Sequence, residues 1–215
     1  GVYKSEDAGE TWKHIGLDYS RHISDIQIHP TNPDIFYVAV QGAQYGPSKE
    51  RGIYKTLDGG KTWIKSLFIG EFSGASSLSM DMNNPRILYA AIWDHERTPW
   101  QMRSGGLKSG IYKSIDGGEK WVRLEKGLPK IIGKSGISVS RANPSIVYIN
   151  LEGEDEKSGV YRSDNSGETW KQVNKNRIAV TRSWYYMEVF ADPQDENVVY
   201  VLNAPALKSI DKGET

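Results

Sequence analysis

The sequence predicts an all-β fold, a β-propeller of four-stranded antiparallel blades, and three observations predict it. One motif occurs five times: GVYKSEDAGETW from Gly1, GIYKTLDGGKTW from Gly52, GIYKSIDGGEKW from Gly110, GVYRSDNSGETW from Gly159 and LKSIDKGET from Leu207. Its closing tryptophans, Trp12, Trp63, Trp121 and Trp170, recur at about the 50-residue length of one blade. Between the boxes lies a second motif, ISDIQIHPTNPDIFYVAV and its counterparts LSMDMNNPRILYAAIW, ISVSRANPSIVYINLE and MEVFADPQDENVVYVLN. Each joins two β-branched and aromatic runs through an Asn/Pro/Asp turn, the pattern of a hairpin. No segment shows sustained helical periodicity.

The elements follow in order. The run Ile35–Val40 is apolar on both faces, so it is an inner strand, whereas GIYKT alternates. Each blade therefore runs a (ISDIQI), b (IFYVAV), c (GIYKT), d (TWIKSL). Residues 1–16 give strands c and d of one blade, 22–66, 75–125 and 135–174 give three complete blades, and 184–215 give a, b and c of another. Closing the two partial blades on each other leaves a surplus c strand, and open blade edges are unpaired strand edges. The expectation is a fragment of a larger propeller, with the remaining blades of the parent chain as partners.

Within the box, the carboxylate of Asp7, Asp58, Asp116 or Asp211, and the side-chain oxygen of Asn165, accepts backbone N–H groups across the c-to-d turn, while glycine supplies a conformation other residues resist. Equivalent aspartates in every blade are fold devices rather than catalysts. The tryptophan after each box packs between blades.

Composition excludes several functions. The 27 basic and 27 acidic residues cancel without a basic block, which removes the footprint of a nucleic-acid binder. No cysteine is present, no apolar run approaches the length of a membrane span, and the four histidines show no metal-ligand spacing. Neither metal nor cofactor is expected.

Strand reversal places the a-to-b turns and the boxes on one face and every long connection on the other. That face carries loops 41–51, 93–109 and 152–158 and the stretch 174–186. Its ligand-binding candidates are Tyr45, Arg51, Trp93, His95, Arg97, Trp100, Arg103, Arg182, Trp184, Tyr185 and Tyr186. Flat aromatics among guanidiniums and carboxylates suit a glycan or a peptide. Asp94 and Glu96, with Glu154 and Asp155 nearby, are the candidates for a hydrolytic carboxylate pair.

The boxes resemble the signature of the Asp-box (BNR-repeat) propellers, which include sialidases, xyloglucan-active glycosidases, a photosystem assembly factor and the sortilin ectodomain. The resemblance covers essentially the whole chain. The segments HPTNPDIFYVAVQGAQYGPSKERGIYKTLDGGKTW, YAAIWDHERTPWQMRSGG and RSWYYMEVFADPQDENVVYVLN are similar to bacterial proteins labelled sortilin-like or BNR-repeat glycosyl hydrolase. That resemblance implies an exported protein, periplasmic or extracellular, whose loop face binds a peptide, protein or glycan, with polysaccharide hydrolysis as the alternative. Sialidase activity is disfavoured, because the family's Arg-Ile-Pro segment does not occur.

Overall fold

The computed structural model describes residues 1–215 as five antiparallel sheets. The first pairs β1 (Tyr3–Lys4) with β2 (Lys13–His14). The second orders β3 (His22–Ile28), β4 (Phe36–Gly42), β5 (Gly52–Thr56) and β6 (Ile64–Leu67). The third orders β7 (Ser73–Met80), β8 (Leu88–Arg97), β10 (Gly110–Ser114) and β11 (Val122–Leu124), with β9 (Met102–Ser104) added to the end of β8. The fourth comprises β12 (Ile132–Val139), β13 (Val147–Gly153), β14 (Gly159–Ser163) and β15 (Lys171–Asn174), and the fifth β16 (Glu188–Ala191), β17 (Val199–Leu202) and β18 (Ala206–Ser209). The expected propeller is thus present, with three four-stranded blades between two partial ones. No helix is long and apolar enough to cross a membrane.

The apolar b strands are explained by what lies on each side of them. Phe36, Val38 and Val40 of β4 pack towards the first sheet with Val2 and Trp63, while Tyr37 and Ala39 pack towards the third with Leu78, Met80 and Leu88. Each seam between sheets is a separate apolar layer, and four such layers hold the core.

The boxes fix those layers. In the second sheet the Thr56 hydroxyl accepts the Gly60 N–H at 2.9 Å, and Asp58 accepts the Thr62 N–H at 2.9 Å and its hydroxyl at 2.6 Å. Two consecutive residues take positive φ, Gly59 at 72° and Gly60 at 89°, the conformation glycine adopts without strain. A Cβ on Gly60 would also meet the Ile15 side chain of the neighbouring sheet at 2.7 Å. Asn165 reproduces the turn, accepting the Thr169 N–H at 2.9 Å and donating to its hydroxyl at 2.8 Å. In the second to fifth sheets the turn is tied to the a-to-b turn of its own blade, as Gly117 N–H to Arg86 C=O at 2.9 Å and Ser166 N–H to Ser145 C=O at 2.7 Å.

Alternation in the c strands led to the expectation of one solvated side, and the structure corrects it: β5 and β14 are buried throughout. Their polar residues point into the seams. Lys55 reaches Glu119 at 2.7 Å, Lys113 donates to the Ser166 carbonyl at 2.7 Å, and Arg162 donates to the Tyr148 hydroxyl at 2.6 Å. Desolvation is offset by a partner on every one of them.

Nearest the axis, each a strand serves the next. Asp25 accepts the Leu78 N–H at 3.1 Å, Ser77 the Ile137 N–H at 3.3 Å, Ser79 the Val139 N–H at 3.0 Å and Ser138 the Ala191 N–H at 3.0 Å. Inner-edge donors that no strand pairs are satisfied by side chains.

Hydrogen bonds from Thr62 hold the Asp58 carboxyl down to about 2 from its ordinary 3.8. A carboxyl lowered in the fold stabilises above its unfolded value and loses that contribution as pH falls from 3.8 towards 2. Asp58→Asn, which copies Asn165, is expected to keep the melting temperature within a few degrees at pH 7 and to flatten its decline below pH 4. Asp58→Ala is expected to lower it at every pH, as measured by circular dichroism.

Candidate functional site

Antiparallel order brings the long connections to one face, as expected, but the segment 93–109 is not a loop. β8 continues to Arg97 and folds back through β9, pairing His95 with Ser104, Glu96 with Arg103 and Arg97 with Met102. The expected loop is therefore a hairpin, and a ten-residue β8 was not legible because WDHER carries no β-rich pattern. Trp100 stands at its tip, 83% exposed.

Beneath the hairpin three candidates form a buried stack. The Trp93 and His95 rings lie parallel, with centroids 3.9 Å apart and planes 13° apart. Lys134 Nζ lies 5.6 Å from the Trp93 centroid, within the range of a cation–π contact. Arg51 is buried, with Nη1 2.9 and 3.1 Å from the two His95 ring nitrogens and donating to the Phe72 carbonyl at 3.1 Å. Its Nη2 donates to the carbonyls of Ala43 at 2.7 Å and Gly46 at 3.3 Å, closing loop 43–51. Burial, then the Arg51 charge, hold His95 down to about 3 from 6.5. The ring is neutral at ordinary pH and accepts from Arg51. These three side chains make the floor of the loop face, not its surface.

Asp94 and Glu96 converge on one guanidinium. Asp94 Oδ1 lies 3.2 Å from Arg103 Nη1 and Glu96 Oε2 3.9 Å from Arg103 Nε. A hydrolytic pair flanks the substrate bond with its two carboxyls; here Arg103 stands against both. Glu154 and Asp155 are exposed at a single 3-10 turn, Asp155–Lys157.

The other half of the face is the stretch 174–186, where Trp184, Tyr185 and Tyr186 are each about half exposed. Asn203 holds it from one side, accepting the Arg182 N–H at 2.9 Å and donating to the Tyr186 carbonyl at 2.6 Å. Lys134 Nζ donates to the Tyr185 carbonyl at 3.1 Å. The Trp184 indole N–H donates to Glu152 Oε1 at 3.0 Å, and Glu152 Oε2 is itself held by the Ser104 hydroxyl at 2.6 Å and the Lys134 N–H at 2.9 Å. Burial lowers the Lys134 pKa, opposed by Glu188 and Glu152. A concavity of about 350 Å³, lined by Glu152, Thr181, Arg182, Ser183, Trp184 and Tyr185, lies in front of this shelf.

Sequence reasoning placed the aromatics but missed Glu152, Lys134 and Ser104, which orient them. A signal existed. Tyr37, Tyr89 and Tyr148 share one strand position, so Gln41, Trp93 and Glu152, each four residues further on, share another near the loop-face end of the shared b-strand pattern. Tyr45 is exposed on its loop and Arg97 half-buried on β8, neither joined to the shelf by any hydrogen bond.

A family model described as "Sortilin, neurotensin receptor 3," matches residues 1–159. Among solved structures, the chain is similar to the GH74 xyloglucanase from Xanthomonas campestris, with TM-score 0.71 and 15% identity over 100% of this chain and 34% of that one. It is similar also to an ancestral GH74 enzyme, at 0.66 and 20% over 94% and 24%, and to YCF48 from Cyanidioschyzon merolae, at 0.53 and 17% over 92% and 59%. At these identities the likeness is one of fold, and the chain spans a quarter to a third of the length of those two GH74 chains. No curated protein matches the chain in sequence.

The unfolded chain protonates His95 below pH 6.5, and the fold resists this until about pH 3, so stability is lost as pH falls through that window. His95→Gln is expected to flatten the fall in melting temperature between pH 6.5 and 4; an unchanged slope would contradict a neutral buried ring. Arg51→Ala, which removes the guanidinium donors to the half-buried Ala43, Gly46 and Phe72 carbonyls and leaves a cavity under the loop, is expected to cost on the order of 3 kcal/mol in urea unfolding.

Proposed function

The chain belongs to the Sortilin-Vps10 family, and from that premise we propose that it is a propeller module binding a peptide, protein or glycan through its long-loop face. The observation that supports this reading is the shelf at Trp184. An indole 44% exposed to water has its N–H fixed to Glu152, and the backbone around it is held by Asn203 and Lys134. Exposed aromatic area already fixed in one orientation loses little further freedom when a ligand stacks on it. The hydroxyls of Thr181 and Ser183 are turned to backbone carbonyls, at 3.0 and 2.6 Å, which leaves the Arg182 guanidinium as the polar group at the rim. Such a surface orients a chain-like ligand by stacking and one bidentate contact.

Polysaccharide hydrolysis finds less support. The nominated carboxylates Asp94 and Glu96 share Arg103, and an acid–base pair needs two carboxyls facing a common space. Export to the periplasm or the exterior is proposed on the same family basis.

The experiment is a screen of the intact protein against peptide and glycan arrays, followed by titration of the hits. Trp184→Ala and Tyr185→Ala are each expected to weaken binding at least tenfold without moving the melting temperature by more than a few degrees. Failure of every peptide and glycan to bind would overturn the reading, and so would hits that survive both substitutions.

A further inference from the structure

The shelf at Trp184 presents a narrow set of groups to a ligand, and its main-chain groups are largely occupied. The Thr181 hydroxyl donates to the Arg177 carbonyl and the Ser183 hydroxyl to that of Val180, while the Arg182 carbonyl accepts the Tyr185 and Tyr186 N–H groups, both at 2.9 Å. Asn150 donates to the Ala179 carbonyl at 2.8 Å, and Lys134 and Asn203 close the carbonyls of Tyr185 and Tyr186. An extended peptide that adds to a sheet draws its affinity from main-chain bonds. Here the backbone is bonded within the protein, so a ligand meets mainly side chains.

Those side chains are flat rings and one cation. Trp184 and Tyr185 both line the concavity of about 350 Å³ and are both about half exposed. The Tyr185 hydroxyl has no partner in the chain and can donate or accept. The charges of the stretch 174–186 are of one sign: Lys175, Arg177 and Arg182, with no carboxylate among them. Lys175 is paired with Glu156 at 3.2 Å, whereas exposed Arg182 belongs to no ion pair. Glu152 is the one carboxylate lining the concavity, and both its oxygens are engaged, Oε1 by the Trp184 indole and Oε2 by Ser104 and the Lys134 N–H. Glu154 and Asp155 stand on the neighbouring turn and do not line it. An aromatic face and an unpaired guanidinium two residues away therefore share one concavity.

We infer that the shelf takes a glycan carrying ring carboxylates, a polymer of uronic acids, with one pyranose laid on the Trp184 indole and its carboxylate on Arg182. The inference rests on the shelf being a binding surface, as proposed above, and names what it binds. A pyranose has an apolar C–H face, which stacks on an indole, and polar groups around its edge. In a uronic acid the carboxylate is attached directly to the ring, so stacking the ring also places the anion, with little freedom left to lose. An acidic peptide carries its carboxylates two or three rotatable bonds from the backbone, and ordering those bonds opposes binding. The planar guanidinium matches a carboxylate with two parallel N–H bonds. A neutral sugar offers Trp184 the same face but brings only a hydroxymethyl group to Arg182.

The test uses the protein of residues 1–215 and matched tetramers: tetramannuronate with mannotetraose, and tetragalacturonate with galactotetraose. Each pair differs in a carboxylate against a hydroxymethyl group. By calorimetric titration at low salt, at least one acid tetramer is expected to bind tenfold or more tightly than its neutral counterpart, and added salt is expected to narrow the gap. In NMR spectra the Trp184 indole N–H and the Arg182 Nε–H resonances are expected to shift together on titration. Arg182→Gln is expected to erase the difference between acid and neutral tetramers, and Trp184→Ala to weaken both. The matched pairs test the wild-type protein, so the inference does not hang on a variant folding. If acid and neutral tetramers bind equally, or Arg182→Gln leaves their difference intact, the inference falls while the shelf, probed by Trp184→Ala, stands as a binding surface. Tighter binding of acetylated, amidated hexaglutamate than of any acid tetramer would assign the shelf to an acidic peptide and overturn the inference, as would no binding of either acid at millimolar concentration.

Discussion

Two residues in the left-handed region, held there by a hydroxyl and a carboxylate four and two positions apart, determine where the rest of each blade lies. The box turn reverses strand c into strand d within a few residues and so brings the following tryptophan to the same depth in every seam. Its second glycine faces the preceding blade closely enough that no side chain fits, as Gly60 does Ile15 and Gly118 does Ser66. The N–H of the residue before that glycine ties the turn to the a-to-b turn. Blade shape, seam width and the depth of the tryptophan therefore depend on one turn. The replacement of aspartate by Asn165 shows that geometry rather than charge is what the turn requires, because the amide joins the same two groups with only the direction of the hydroxyl bond reversed.

The two faces of the molecule divide the work. On the box face, backbone groups are consumed by turns and seam contacts. On the other, the b strands are free of that constraint beyond the seams, and Gln41, Trp93 and Glu152 differ completely at one equivalent position. Variation there costs the fold little, since the positions lie beyond the last shared apolar layer. The stack of Lys134, Trp93, His95 and Arg51 shows what such freedom permits: a polar and aromatic layer, with buried charges partnered by ring faces and carbonyls, that supports both the hairpin and the shelf.

Repeat spacing made the fold class legible, because a period of boxes and a period of Asn/Pro turns leave little choice of strand order. The partial blades at residues 1–16 and 184–215 appear as two and three strands. The site was legible only in outline. Trp184, Tyr185 and Tyr186 could be placed on the loop face by strand direction, but not the clamp that orients them, since Glu152 comes from β13, Ser104 from β9 and Asn203 from the turn after β17. Arg51, Trp93 and His95 looked like surface chemistry because their loops are polar and Gly-rich. Their burial follows from packing between two connections more than 40 residues apart, which local pattern cannot express. The c strands misled for a related reason: Lys55 and Arg162 have the period of a solvated face, yet the adjacent blade supplies each with a partner.

The girdle of inner strands has a direction. Asp25, Ser77, Ser79 and Ser138 each accept from the sheet that follows, while Trp63, Trp121 and Trp170 each pack against the sheet before. A joint of this kind is a plug and socket carried by every unit, so duplicating one period in the gene reproduces both halves at once. Mutational drift in a blade is felt by its two neighbours and hardly beyond, the behaviour of a linear array with nearest-neighbour coupling. Lineages built this way can lengthen or shorten by whole units without inventing a contact, and the number of units is left to the angle between successive sheets.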